Sequence, residues 1–279
     1  MNDSLSKNEF EKLSHFIHDR SGIKMPPSKK IMMEARLRKR LRDLNINSYK
    51  EYCDFLFSKE KGKEEITHMV DVITTNKTDY FREPKQFTFL SEVVLPALFE
   101  ELQIGIKQPL KVWSAGCSTG EEPYTISIVI NEFAKKINKY MFGILGTDIS
   151  TIVLQKAALG IYEEEKIKVV APELKRKYFL YSKDREQKLV RLIPGIRNSV
   201  SFHYLNFMDK NYGIDEMFDV IFCRNVIIYF DRSTQDELIA KLVSYLNPGG
   251  YLFMGHSESI FNMGLPLNQL AASIYQKKK

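Results

Sequence analysis

From Lys111 to Tyr124 the chain reads Lys-Val-Trp-Ser-Ala-Gly-Cys-Ser-Thr-Gly-Glu-Glu-Pro-Tyr, and this stretch constrains the fold more than any other. Val112 and Trp113 favour a buried strand. Gly116 and Gly120 let the backbone turn and approach a ligand closely. Ile126, Ile128, Val129 and Ile130 supply the apolar face of a following helix. Thr119 is expected as its N-cap, Glu121 and Glu122 suit the positive end of its dipole, and Pro123 is tolerated in its first turn. Strand, glycine turn and helix in that order make half of a nucleotide-type site.

The acids narrow the ligand class. A pyrophosphate site leaves bare N–H groups at the helix start, whereas two carboxylates follow this turn at once. The spacing is Gly-x-x-x-Gly, neither a P-loop nor the dinucleotide Gly-x-Gly-x-x-Gly. A cationic or zwitterionic adenosine ligand such as S-adenosylmethionine fits better; the bland alternative is an ordinary strand-to-helix turn with solvated acids.

Downstream, Met141 to Asp148 reads as a second strand ending in an acid, 28 residues past Gly120 and in position to accept ribose hydroxyls. Phe218 to Phe230 is nearly continuous in apolar residues, as a central parallel strand covered on both faces would be. Arg224 and Asn225 interrupt it and should fall at its carboxyl end, beside the ligand. Between these, Lys188 to Ile193 and Ser199 to Tyr204 alternate apolar and polar residues around Pro194-Gly195, which predicts a small antiparallel insertion, either a passive excursion or one whose exposed edge accepts a peptide strand. Tyr251 to Gly255 should add a strand and Leu267 to Gln276 an antiparallel edge.

The first 73 residues read as helices throughout. Phe10, Leu13, Phe16 and Ile17 have helical spacing, Gly22 and Pro26-Pro27 break the chain, and a second helix runs from about Lys29 to Leu44. Met33, Leu37, Leu41 and Leu44 form its apolar stripe, while Arg36, Arg38, Lys39, Arg40 and Arg42 occupy the other arc. That arc is either a solvated face or a docking surface for an acidic partner. Thr74 to Pro84 is a polar connector and a natural domain boundary.

With 279 residues, 44% hydrophobic and 27% charged, the chain can form one large or two small globular domains. No apolar run approaches the roughly 20 residues of a membrane span. Met1 to Arg20 carries alternating charges instead of a signal peptide, so a cytoplasmic location is expected. Three widely spaced cysteines and five scattered histidines predict neither a disulfide framework nor a metal site, and no metal is expected.

Five segments together resemble the chemotaxis receptor methyltransferases, the CheR family. They are Thr-Asn-Lys-Thr-Asp-Tyr-Phe-Arg-Glu at 75–83, Trp-Ser-Ala-Gly-Cys-Ser-Thr-Gly-Glu-Glu-Pro-Tyr at 113–124, Thr-Asp-Ile at 147–149, Phe-Asp-Val-Ile-Phe-Cys-Arg-Asn-Val-Ile-Ile-Tyr-Phe-Asp at 218–231 and Gly-His-Ser-Glu at 255–258. The resemblance implies a Rossmann-like class I S-adenosylmethionine methyltransferase domain over 86–279 with a β-subdomain near 180–204. It also implies an all-helical receptor-docking domain over 1–73 and a connector, 74–85, that contributes to the cofactor site. The implied activity is methyl transfer from S-adenosylmethionine to glutamate side chains of bacterial chemoreceptor cytoplasmic domains, giving 5-O-methyl esters for chemotactic adaptation. S-adenosylhomocysteine is the product, and the enzyme is expected to work as a monomer without nucleic acid or membrane insertion.

Residue by residue, the resemblance assigns cofactor contacts to Asn76, Thr78, Arg82, Gly116, Glu122, Asp148, Asn206, Phe207, Cys223, Arg224 and Asn225. It puts Tyr229 near the transferred methyl with Arg82, and gives Arg36, Arg40 and Arg42 to receptor docking. The β-subdomain of some members binds a receptor's C-terminal peptide. The rivals are a cofactor-binding signalling regulator without catalysis and a nucleic-acid methyltransferase. Against the latter, the sequence has no Asn-Pro-Pro-Tyr-type motif, and its basic residues lack interleaved aromatics.

Overall fold

The structure is a computed structural model that describes residues 4–58, 62–135, 137, 140–258, 260 and 263–279; for 62–64 and 185 it describes the backbone alone. Four helices open the chain: α1 (Lys7–Ser21), α2 (Lys30–Asp43), α3 (Tyr49–Leu56) and α4 (Gly62–Ile73). Ser6 and Glu9 start α1 as a capping box, each side chain bonded to the other's backbone N–H, and Gly22 ends it in the left-handed conformation. Phe10, Leu13, Ile17, Met33, Leu37, Leu41, Tyr52 and Met69 pack into one core. The stripe expected on α2 is therefore buried, apart from Leu44 at its margin.

The basic arc of α2 departs from expectation. Arg40 Nε bonds both oxygens of Glu65 at 2.9 and 3.0 Å, and Glu65 is buried and also accepts the Tyr52 hydroxyl. Arg36 Nη1 donates to the carbonyls of Ile73 (2.5 Å) and Thr74 (2.8 Å), closing the C-terminal end of α4, where backbone carbonyls lack helical partners. Both guanidiniums are committed internally, because a charge at the edge of a core needs a partner there. Arg42, Arg38 and Lys39 remain exposed, with Arg38 paired to Glu34.

Past the connector come α5 (Pro84–Phe89), a π-turn over Leu90–Val94, and α6 (Leu95–Leu102). The chain continues through β1 (Leu110–Ala115), α7 (Glu121–Ala134), β2 (Phe142–Asp148), α8 (Thr151–Leu159), β3 (Ile161–Glu163), α9 (Pro172–Tyr178), β4 (Phe179–Tyr181) and β5 (Leu189–Leu192). It ends with α10 (Pro194–Arg197), β6 (Val200–Tyr204), β7 (Phe218–Cys223), α11 (Arg232–Ser244), β8 (Leu246–Met254), β9 (Leu267–Ala271) and β10 (Ile274–Lys277).

The main sheet has the order β6-β2-β1-β7-β8-β10-β9, parallel through β8, with β10 antiparallel to both β8 and β9. Strand alternation divides its residues between two cores. Val112, Val220, Phe222 and Phe253 face α5, α6 and α7. Trp113, Ile221, Cys223, Leu252 and Met254 face α11. This is the expected Rossmann-like sheet, and its strand order reverses at β1, flanked by β2 and β7. Ligands of open α/β sheets bind at such a reversal, outside the carboxyl ends of the strands.

The predicted insertion is corrected in its second half. Leu189–Leu192 does join a small antiparallel sheet, β3-β5-β4, but Val200–Tyr204 does not. It pairs in parallel with β2 as the edge strand of the main sheet, and Ile161–Glu163 takes the place expected for it. An edge strand has one face and one side in water, so it shows the same alternation as a hairpin strand; alternation could not separate the two. At the carboxyl end the single expected edge strand is a β9–β10 hairpin.

The helical region docks on the loop after β7. The Lys24 N–H donates to the Tyr229 carbonyl (2.8 Å), Asn206 Nδ2 to the Arg20 carbonyl (2.6 Å), and His18 Nε2 lies 2.8 Å from Asp231 Oδ2. Asp231 also caps α11 through the Thr234 N–H, and these bonds hold its pKa at about 2. Its folded value thus lies below the ordinary ~3.9, so it stabilises the fold above that value and loses the contribution as pH falls toward 2. The difference in urea-unfolding free energy between wild type and Asp231→Asn should hold steady at about pH 5 and vanish between about pH 4 and 2. A difference that ignores pH would refute the charge's role.

Candidate functional site

The pocket opens at the carboxyl ends of β1, β2, β6 and β7 and is closed over by the connector and by residues 21–29. It is lined by Asn76, Thr78, Arg82, Gly116, Glu122, Asp148, Asn206, Phe207, Arg224, Asn225 and Tyr229, so eleven residues expected from five separate segments meet in one place.

The glycine turn sets the floor. Gly116 and Gly120 adopt φ of +83° and +94°, and Gly120 itself is the N-cap of α7. Thr119 was expected to cap it, but a side chain at the cap position has no room: a Cβ on Gly120 would lie 2.9 Å from Ala157 Cβ and 3.0 Å from the Tyr162 hydroxyl. Thr119 instead bonds Glu121 Oε2 (2.6 Å) and accepts the Tyr162 hydroxyl on its carbonyl.

Asp148 is buried at the end of β2. Its Oδ2 accepts the Ser118 N–H (2.8 Å) and its Oδ1 the Ser150 N–H (2.9 Å), which leaves further lone pairs on both oxygens. Burial raises its pKa, against the pull of those N–H groups. Ser118 also donates its hydroxyl to the Asn76 carbonyl, tying connector to turn. Because Asp148 consumes the Ser118 N–H, the turn does not offer that donor to a phosphate.

Arg224 anchors the opposite wall. Nη1 lies 3.1 Å from Glu122 Oε2 and Nη2 3.1 Å from Glu83 Oε2, and Nη2 donates to the Arg82 carbonyl. Ser114 supplies a second bond to Glu122, at Oε1 (2.7 Å). Burial pushes the Glu83 carboxyl up, but Arg224 and the His256 N–H outweigh it and hold it below its ordinary value. For Glu122 burial wins over Arg224, and its pKa is raised. The local backbone is strained as well: Phe81, Glu83, Ser118 and Asn225 all have positive φ, an uncommon conformation for residues with a side chain, on the connector, turn and loop that build the pocket.

Tyr229 stands on the loop after β7, with Lys29 Nζ 5.3 Å from its ring centroid. Cys223 does not join the pocket lining. Its side chain points into the core beside α11 and is fully buried, because alternation along β7 sends it to the face away from the pocket. Arg36, Arg40 and Arg42 lie on α2 outside the pocket lining. Sequence reasoning missed Ile23, Met25 and Lys29 from the helical region and Ser118, Ile149, Val226 and Ile228 from the sheet loops. The last four neighbour residues already singled out, whereas nothing in the sequence signals the first three.

The donor set fits S-adenosylmethionine. Asp148 can accept ribose hydroxyls, Glu122 supplies negative charge for a cationic ligand, Ile149, Phe207 and Val226 offer apolar surface to an adenine ring, and Asn76 and Asn225 supply further polar groups. Among the described residues no cluster of side chains suits a metal ion, and no helix is long and apolar enough to cross a membrane.

Known proteins give an independent comparison. Residues 76–275 match the model of the CheR methyltransferase SAM-binding domain and residues 8–74 that of the CheR methyltransferase all-alpha domain. A chemotaxis protein methyltransferase of Borreliella burgdorferi is 38% identical over 93% of this chain and 91% of its own length. Those of Salmonella typhimurium and Escherichia coli are each 34% identical over 99% of this chain, and over 92% and 93% of their own lengths.

Proposed function

The chain belongs to the CheR methyltransferase family, and on that premise we propose that it transfers the methyl group of S-adenosylmethionine to glutamate side chains of chemoreceptors, forming methyl esters. The observation that carries this reading is the meeting of Asp148, Glu122, Arg82 and Tyr229 around one pocket at the strand-order reversal. When bound, S-adenosylmethionine supplies an activated methyl on a sulfonium. Asp148 would hold the ribose, and Glu122 would favour the cation.

The acceptor explains why the pocket needs no general base. A glutamate has an ordinary pKa near 4.3 and is already ionised at neutral pH. Collapse of a cation and an anion into two neutral groups is then served by alignment and exclusion of water. Arg82 and Tyr229 orient donor and acceptor. The bond from Arg82 Nη1 to the Lys77 carbonyl (3.1 Å) and the bond from Arg224 to the Arg82 carbonyl, which limit the freedom of this residue, support that role.

The receptor's acidic helices would meet the exposed cations Arg38, Lys39 and Arg42, since Arg36 and Arg40 are occupied inside. A receptor tail peptide, where a receptor carries one, would add to an edge of the three-stranded sheet β3-β5-β4.

The reading is tested by supplying labelled S-adenosylmethionine to chemoreceptor-containing membranes and assaying methanol released by mild base. Base-labile label on receptor is expected, and Tyr229→Phe should slow transfer about tenfold, the worth of one hydrogen bond of ~1.4 kcal/mol. Cofactor binding without transfer would point to a signalling regulator, and label on nucleic acid would overturn the assignment.

A further inference from the structure

We propose that Glu258 is a positioning residue for methyl transfer: its buried carboxylate, by accepting the N–H groups of Asn225 and Gly255, fixes the loop from Asn225 to Tyr229 against the ligand. The proposal rests on the transferase reading and adds to it a residue that does not touch the pocket.

Four observations lead there. First, Glu258 is 3% exposed, yet no cation is paired with it among the described residues, whereas the two partly buried acids of this wall, Glu83 and Glu122, share Arg224. An acid kept in such a place serves through its oxygens. Second, a single oxygen, Oε2, receives the Asn225 N–H at 2.8 Å and the Gly255 N–H at 2.7 Å, bridging the carboxyl ends of the adjacent strands β7 and β8.

Third, Gly255 is the residue that admits this oxygen. A Cβ there would lie 2.7 Å from Glu258 Oε2 and 2.8 Å from the Asn225 nitrogen, distances that no side chain tolerates. Fourth, the residue held is one that needs holding: Asn225 has φ of +58°, a conformation that persists only where its surroundings over-determine it. Asn225, Val226, Ile228 and Tyr229 follow in order around the pocket, so the angle at which Asn225 leaves β7 sets where the Tyr229 hydroxyl falls. Asp148, at the end of β2, is held by the Ser118 and Ser150 N–H groups and does not depend on this loop.

The consequence is a separation of turnover from cofactor affinity. In the full chain, Glu258→Asp withdraws the acceptor by one methylene and should lower methyl-transfer kcat about tenfold or more, while the Kd for S-adenosylmethionine, by titration calorimetry, should rise by a smaller factor, since only Asn225 and Val226 of the cofactor's surroundings lie in this loop. Glu258→Gln keeps a carbonyl oxygen where Oε2 stands and should retain turnover within about threefold of wild type. Hydrogen exchange of the peptide covering Cys223–Asp231 should quicken in Glu258→Asp and not in Glu258→Gln.

Full turnover in folded Glu258→Asp would overturn the proposal, as would equal losses of turnover and cofactor affinity in both variants. If Glu258→Asp does not fold, the decision falls to Glu258→Gln, whose loss of turnover would be equally fatal. If wild type itself transfers no methyl to receptor, the transferase reading fails, and the exchange rates still decide whether Glu258 fixes the loop.

Discussion

Arg224→Met should destabilise the protein by about 3 kcal/mol in urea unfolding at neutral pH, because it strands two largely buried carboxylates. Glu83 and Glu122 each lie 3.1 Å from the guanidinium and lie mostly out of solvent. A buried pair contributes little net stability when formed, since desolvation offsets attraction; losing one partner leaves the other's desolvation uncompensated. Here one cation serves two acids. The deficit also has a sign in pH. Without Arg224, both acids would titrate above their ordinary values in the folded state, so protonation would relieve the penalty as pH falls toward 5, and the deficit should grow as pH rises through that range. Adding Glu83→Gln and Glu122→Gln to Arg224→Met should recover more than half of the loss. A deficit under about 1 kcal/mol would mean that the carboxylates find water or other partners.

The location of that cluster was legible in the sequence for a simple reason: an apolar run interrupted only by Arg224 and Asn225 has to end where polar groups are useful. The same logic placed Asp148 and the glycine turn. Cys223, which the resemblance assigned to the cofactor, stands beside Arg224 in sequence but in the core with Ile221, as alternation from Val220 onward implies; the register shift between Phe218 and Val220 hides this from a count begun at Phe218. The internal partners of Arg36 and Arg40 were not legible, because a cation on the polar arc of an isolated helix looks solvated. Their partners, the carbonyls that end α4 and the carboxylate of Glu65, come from a helix 25 to 38 residues away. Ile23, Met25 and Lys29 are further still from the loops they meet; their contribution follows from the docking of the helical region on Tyr229 and Asp231, which no local pattern encodes.

Asp148→Asn should weaken S-adenosylmethionine binding about 10- to 100-fold, the range of one to two hydrogen bonds to a charged acceptor. Two causes could produce such a loss, and the structure makes them separable. Asp148 holds the turn through the Ser118 and Ser150 N–H groups, and an amide nitrogen facing either would repel it. The same carboxylate has lone pairs left for a ribose. A cofactor analogue lacking one ribose hydroxyl distinguishes the two: wild type should lose affinity for it relative to the intact product, and Asp148→Asn should lose no more. If the variant and the deleted hydroxyl add their losses in full, the aspartate acts through the turn alone. Acidification gives a second check. Burial raises the Asp148 carboxyl, so wild-type affinity should begin to fall at a pH above the ordinary aspartate value of ~3.9, and the neutral variant should lack that step.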